Sequence, residues 1–243
     1  MSSLLFISDL HLDPARPEVT RLFLEFLQAH AGKARALYIL GDLFEAWIGD
    51  DDPDPHHGKV QDALRAFAAA GTRCYFMHGN RDFLCGSEFA ARSGLTLLDD
   101  PTVVDIFGRR ALLMHGDTLC TDDIGYQQFR AMVRNPDWQR QFLSQPLAAR
   151  QAFAEKARQG SKAAQADLAE DIMDVNAAAV AKAFRDHNVD LLVHGHTHRP
   201  GVHLFELDGK VRERVVLGDW YEQGSLLEAT PAGLSLMQLP LPG

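Results

Sequence analysis

Apolar, strand-length runs recur along the chain as LLFIS (4–8), ALYIL (36–40), CYFM (74–77), ALLM (111–114) and LLV (191–193). Between most of them lie stretches with apolar residues at helical spacing, such as VTRLFLEFLQAH and KVQDALRAFAAAG. Strand and helix patterns in alternation predict an α/β sheet with helices on its faces. After His203 the period falls to two, and HLFELDG, KVRERVVLG and GSLLEATPAGLSLMQL predict an antiparallel meander completing the sheets.

From Asp122 to about Asn188 no strand-like run occurs, and helix patterns are punctuated by Pro136, Pro146 and Gly160. The expectation is a helical insertion (122–188) in a core built from 1–121 and 189–243. Between Tyr126 and Lys162 seven basic residues (Arg130, Arg134, Arg140, Arg150, Lys156, Arg158, Lys162) face two acids (Asp137, Glu155), a local +5 in a chain whose formal charge is −9. One reading is a solvated helical surface. Beside Phe129, Met132, Val133, Trp138, Phe142, Leu143 and Phe153, the other reading is a cap that handles something both apolar and anionic. DDDPDP (50–55) is expected as an exposed acidic loop.

Net acidity argues against a general nucleic-acid binder, which needs Lys and Arg to neutralise phosphates. Three cysteines (Cys74, Cys85, Cys120), with no C-x-x-C spacing, suggest neither a disulfide framework nor a thiolate metal site, and burial is their expected role. The N-terminus has no basic leader and turns charged at Asp9, and no run of about 18 apolar residues occurs. The expected location is cytoplasmic.

The chemistry sits where the strands stop. Asp9 and His11 follow LLFIS, Asp42 follows ALYIL, Asn80 follows CYFM, His115 follows ALLM, and His194, His196 and His198 follow LLV. Ligands of open α/β sheets collect at the carboxyl ends of strands, so five such ends point to one crevice. Gly41, Gly79 and Gly116 adjoin three of them and allow close backbone approach. One His at a strand end is usually a satisfied core residue; five coincidences are not. Two Asp, one Asn and at least three His suit two divalent metals of borderline hardness, such as Mn, Fe or Zn, and so hydrolysis of a phosphate ester or anhydride.

DLH, GDLFE, GNRD, HGD and GHTH, in that order, resemble the calcineurin-like metallophosphoesterase superfamily, whose core is a two-sheet sandwich flanked by helices. The resemblance implies one metal on Asp9, His11, Asp42 and His198 and a second on Asp42, Asn80, His115 and His196, with Asp42 bridging. His194 lies outside that pattern and is expected to be structural or to support a ligand.

Many members carry His where this chain has Arg81, and that His can protonate a leaving oxygen. Arg81 is always charged and cannot. The loss matters little when the leaving group is itself a phosphate with a second pKa of about 6. Arg81 therefore favours a pyrophosphate, whose extra phosphate its fork can hold. The alternative is a structural Arg paired to Asp82 or to the Asp50–Asp52 run.

GDLFEAWIGDD (41–51), GNRDFL (79–84), HGDTLCTDD (115–123), MDVN (173–176) and VHGHTHRP (193–200) closely resemble the UDP-2,3-diacylglucosamine pyrophosphatase family over essentially the whole chain. That resemblance implies a manganese-dependent hydrolase of lipid A biosynthesis. It would be peripheral on the inner face of the inner membrane and would attack the α phosphorus of a lipid-linked UDP-sugar. It implies catalytic roles for Asn80, Arg81 and His115, and substrate contacts at Asn80, Arg81, Asp123, Ser161 and His196. AQADLAED (164–171) lacks the basic residue that family often has before MDVN, and Gln165 or Lys162 is the expected partial replacement. No nucleic acid or protein partner is implied. The competing expectations are a soluble dimetal phosphodiesterase or nucleotide phosphatase, and a fold retained only for binding.

Overall fold

The structure is a computed structural model that describes residues 3–167 and 174–241, the side chains of 161–167 excepted. Two sheets carry the architecture. The first has the order β11-β10-β1-β2-β3-β4, with β1 (Ser3–Ile7), β2 (Ala34–Leu40), β3 (Arg73–Met77) and β4 (Leu95–Leu98) parallel, β10 (Gln223–Thr230) antiparallel to β1, and β11 (Gly233–Pro240) antiparallel to β10. The second has the order β5-β6-β7-β9-β8: β6 (Arg109–Leu113), β7 (Leu191–His194) and β9 (Lys210–Val216) run parallel, flanked by antiparallel β5 (Thr102–Ile106) and β8 (Gly201–Leu207).

Alternation along each strand assigns its faces. Leu4 and Phe6, Ala36, Tyr38 and Leu40, and Met77 meet Ala111, Leu113, Leu191, Val193 and Val215 between the sheets. The intervening residues Leu5, Ile7, Leu37, Ile39 and Phe76 face outward onto α1 (Pro17–His30), α2 (Pro55–Ala69) and α3 (Ser87–Ser93). In α1, Val19, Leu22, Phe23, Phe26 and Leu27 are buried at helical spacing behind a first-turn proline. The result is the expected sandwich flanked by helices.

Two expectations need correction, and two strands escape the sequence pattern. The region after His203 forms two hairpins, β8–β9 and β10–β11, in different sheets rather than one meander. β4 and β5 were not legible as strands; each is short, and they flank the turn at Asp99–Pro101. Gly160 breaks nothing: α6 (Leu147–Asp167) runs through it.

The inserted region contains α4 (Ile124–Val133), α5 (Pro136–Leu143), α6 and α7 (Ala177–His187). Val180 and Phe184 of α7 pack with Leu112 and Leu192 on the outer face of the second sheet, so in packing α7 belongs with the core. DDDPDP is the exposed loop expected, with Asp51, Pro53 and Pro55 exposed, but its carboxylates are not idle. Asp50 accepts from the N–H groups of Gly86, Glu88 and Phe89 at the start of α3, Asp51 pairs with Arg150, Asp52 lies 3.5 Å from His57, and Asp54 caps α2. Each carboxylate has a fixed structural partner.

Candidate metal centre

β1, β2, β3, β6 and β7 all end at one mouth, and the chain turns sharply there. Asp9, His11, Asp42, His196 and His198 have φ of 56, 48, 54, 69 and 55°, in the left-handed region that side-chain-bearing residues seldom occupy. Five such residues among seven expected ligands are strain held by the surrounding fold to aim side chains into one crevice. Backbone bonds fix the turns: Asp9 N–H donates to Gly41 O and His11 N–H to Asp42 O. At Gly79 and Gly195 a side chain would overlap the carboxylates of Asp42 and Asp9, so only glycine permits the approach.

The ligand-type atoms converge as two groups. Nε2 of His11 and Nε2 of His198 lie 3.3 Å apart, with Asp9 Oδ1 3.6 Å from His198. Asn80 Oδ1 lies 3.0 Å from His115 Nε2 and 2.9 Å from His196 Nδ1. Between them, Asp42 Oδ2 is 3.8 Å from His11 Nε2 and 4.0 Å from His115 Nε2, a bridging position. Ligand atoms of Asp9, His11 and His198 lie within 4.8 Å of one another, as do those of Asp9, Asp42 and His115. Asp9 Oδ1 is buried with no hydrogen-bond partner, while Oδ2 accepts from Ser8 Oγ and His196 N–H. A fully buried carboxylate oxygen left open in this way fits a cation.

Electrostatics follow from burial and proximity. Burial opposes ionisation of Asp9, yet the neighbouring His198 holds its pKa well below the carboxylate range. Burial alone would lower His115, but Asp42, Asp117 and Asp9 raise it to about 9, while burial and the adjacent His115 push His196 down to about 4. His194 is driven to about 3 by burial, with Arg214 beside it; it takes no ligand position, bonding instead to Gly195 O and Arg214. That agrees with its expected structural part.

Several supports were not read from the sequence. Glu45 Oε2 stands 3.3 Å from His11 Nδ1 and Asp219 Oδ2 3.4 Å from His198 Nδ1, carboxylates placed to orient these candidate ligand imidazoles; His115 Nδ1 meets Leu40 O at 2.9 Å to the same end. Glu45 was visible within GDLFE but carried no pattern of its own, and Asp219 had none. Asp82 accepts the N–H groups of Asp42, Leu43 and Gly79, bracing two ligand turns. Asp117 takes Tyr126 Oη and Arg130 Nε, tying α4 to the site.

Arg81 is not paired to Asp82 or to Asp50–Asp52, whose carboxylates are engaged as above; its Nε is buried without a hydrogen-bond partner, and it makes no ion pair among the described residues. Asp123 is half-buried and caps α4 through Tyr126 N–H. The side chains of Ser161, Lys162 and Gln165 lie outside the described residues. The charges of the inserted helices are largely spent on ion pairs: Arg130 on Asp117, Arg140 on Asp137, Arg150 on Asp51, Arg158 on Asp13 and Glu45, while Arg134 donates to Gly79 O. Trp138, Phe142 and Phe153 pack ring against ring and against the core, leaving Ile124, Met132 and Leu143 as the exposed large apolar side chains there among the described residues.

Residues 2–200 match the model of the calcineurin-like phosphoesterase family. The chain is 56% identical over 239 residues to the UDP-2,3-diacylglucosamine hydrolase of Stenotrophomonas maltophilia (strain K279a), covering 96% of each. It is 55% identical over 244 residues to the protein of that name in Xanthomonas campestris pv. campestris (strain B100), covering 98% of this chain and 99% of that one. With its ligand turns, bridging Asp42 and matched length together, the chain belongs to the calcineurin-like phosphoesterase family.

Proposed function

We propose that this protein hydrolyses the pyrophosphate bond of UDP-2,3-diacylglucosamine to UMP and 2,3-diacylglucosamine 1-phosphate, with water attacking the α phosphorus, in lipid A biosynthesis. The observation that carries the reading is Arg81, a cation with no ion pair among the described residues, though its charge helps hold Glu45 ionised, beside a ligand set for two divalent ions, manganese by preference. Relatives that share more than half their residues over nearly the whole chain and carry the name of that hydrolase support the substrate.

Two divalent ions at such a site supply Lewis acidity, making an attacking water more acidic and offsetting charge on phosphoryl oxygens. Asp9, His11, Asp42 and His198 would hold one and Asp42, Asn80, His115 and His196 the other. The protein's own groups do the positioning. Asn80 turns Oδ1 toward His115 and His196, which leaves its NH₂ to donate to a phosphoryl oxygen. Arg81 holds the departing phosphate, which leaves as a stable anion and needs no proton. Asp123 has one carboxylate oxygen on Tyr126 N–H and a second for a sugar hydroxyl. Ser161, Gln165 and His196 complete the proposed contacts.

The proposed location is the inner face of the inner membrane, as a peripheral protein. No described helix is long and apolar enough to cross a membrane. Ile124 and Met132, two turns apart on exposed α4, suit a lipid surface. The inward packing of Trp138, Phe142 and Phe153 favours a second reading, a soluble dimetal phosphodiesterase or nucleotide phosphatase.

One experiment separates the two. Metal-stripped protein is given UDP-2,3-diacylglucosamine with and without Mn²⁺ in ¹⁸O water, and products are weighed by mass spectrometry. Metal-dependent label in UMP is the expected result. No turnover, with activity on bis-p-nitrophenyl phosphate or free nucleotides instead, selects the second reading.

A further inference from the structure

A cleft of about 330 Å³ opens beside His198, bounded by Pro200, the 218–223 loop and the β10–β11 hairpin. Its size lies within the range of small-molecule sites, about 300–1,000 Å³. Gln223 and Ser225 are two residues apart on β10 and so share a face, and Gln238 on β11 is the cross-strand partner of Ser225. Three polar side chains thus stand together at the end of the hairpin nearest the metal ligand. Ser225 Oγ accepts the N–H of Gly218 at 2.9 Å, which leaves its proton free to donate. The side-chain amides of Gln223 and Gln238 make no hydrogen bond among the described residues. Asp219 and Glu222 add carboxylates, and the first is turned toward His198.

The lining discriminates among the parts of a UDP-linked lipid. Acyl chains need apolar walls, and phosphates need cations; no Lys or Arg lines this cleft. A nucleoside needs amides for the donor and acceptor edge of its base and a carboxylate for its ribose hydroxyls. We infer that this cleft is the uridine site: a Gln223 or Gln238 amide pairs with N3–H and a carbonyl oxygen of uracil, and Glu222 accepts from the ribose. The assignment rests on the UDP-sugar reading above and extends it. The nucleoside lies beyond His198, so the lipid half lies on the Asn80, His196 and Asp123 side.

The test titrates manganese-loaded protein with UMP and with ribose 5-phosphate, in the parent, Gln223→Ala, Gln238→Ala and the double variant. Gln238 is exposed and Gln223 half-buried, so neither change threatens the fold. The expected result is about a tenfold preference for UMP over ribose 5-phosphate in the parent, of the order of one or two hydrogen bonds, that largely disappears in the double variant. Ribose 5-phosphate affinity and manganese content should stay within about twofold. An unchanged UMP preference in the variants, or none in the parent, overturns the site. Failure to turn over UDP-2,3-diacylglucosamine with the glutamine-dependent UMP preference intact would overturn the lipid substrate and keep the nucleoside site. Normal turnover with glutamine-independent UMP binding would do the reverse.

Discussion

Oε2 of Glu45 lies 3.3 Å from Nδ1 of His11, and Oε1 of the same carboxylate lies 3.7 Å from Nη1 of Arg158 on α6. One side chain therefore touches both a candidate metal-ligand imidazole and an inserted helix. A carboxylate behind a ligating His fixes the ring and its tautomer, and its loss typically weakens metal binding about 10–100-fold. Glu45→Ala should lower manganese affinity by that order, and Glu45→Gln by less. Calorimetric titration of metal-free protein checks this; affinities within about twofold of the parent would reduce Glu45 to an anchor for α6.

Arg81 makes a different claim, on turnover. Removing one positioned donor from a site of developing charge typically costs about 10²–10³ in rate. Arg81→Ala should slow pyrophosphate cleavage by that order, and Arg81→His should gain measurable activity on simple phosphodiesters, because imidazole can protonate an alkoxide. Steady-state rates on both substrates decide it. Pyrophosphate turnover within a few-fold of the parent in Arg81→Ala would sink the leaving-group argument.

Asp100 is a buried carboxylate whose oxygens find no hydrogen bond, with Arg130 3.8 Å away. Burial, reinforced by the charge of Asp117, raises its pKa to about 6. A carboxyl harder to ionise when folded than when unfolded costs stability once the unfolded chain has ionised. The cost is absent below about pH 4, grows as pH rises from about 4 to 6, and is constant above. Two units correspond to about 3 kcal/mol at most. Asp100→Asn should therefore be more stable than the parent at pH 7.5 and indistinguishable near pH 4. Urea midpoints across that range test it, and a pH-independent difference would contradict it.

Phe142 separates a folding role from a lipid-handling role. It is 4% exposed, stacked on Trp138 and packed against the core. Phe142→Ala should cost roughly 3–5 kcal/mol of stability, the usual range for a buried Phe. It should affect short- and long-chain substrates alike at temperatures where the variant is folded. A loss confined to long-chain substrate, with the melting temperature unchanged, would instead put Phe142 on the acyl chains.

What the sequence determined on its own is local and periodic. Strand-length runs ending in Asp, Asn or His marked the candidate metal ligands because a strand's end is where its side chains can leave the sheet for a shared crevice. Leu4, Leu5, Phe6 and Ile7 are all apolar, so the sequence marked a strand covered on both faces, and only the structure assigned Leu4 and Phe6 to the other sheet and Leu5 and Ile7 to the helices. The tertiary structure decided whatever depends on residues distant in the chain. Glu45 and Asp219 act on His11 and His198 through contacts that no spacing encodes. DDDPDP is exposed as its composition says, but the partners of its carboxylates, the start of α3 and Arg150, lie about 35 to 100 residues away and no local pattern shows them. The apolar and basic residues of the inserted helices look available in sequence, and most are taken up by the core. A helical pattern gives the composition of each face, but only packing decides whether that face meets solvent, ligand or another sheet.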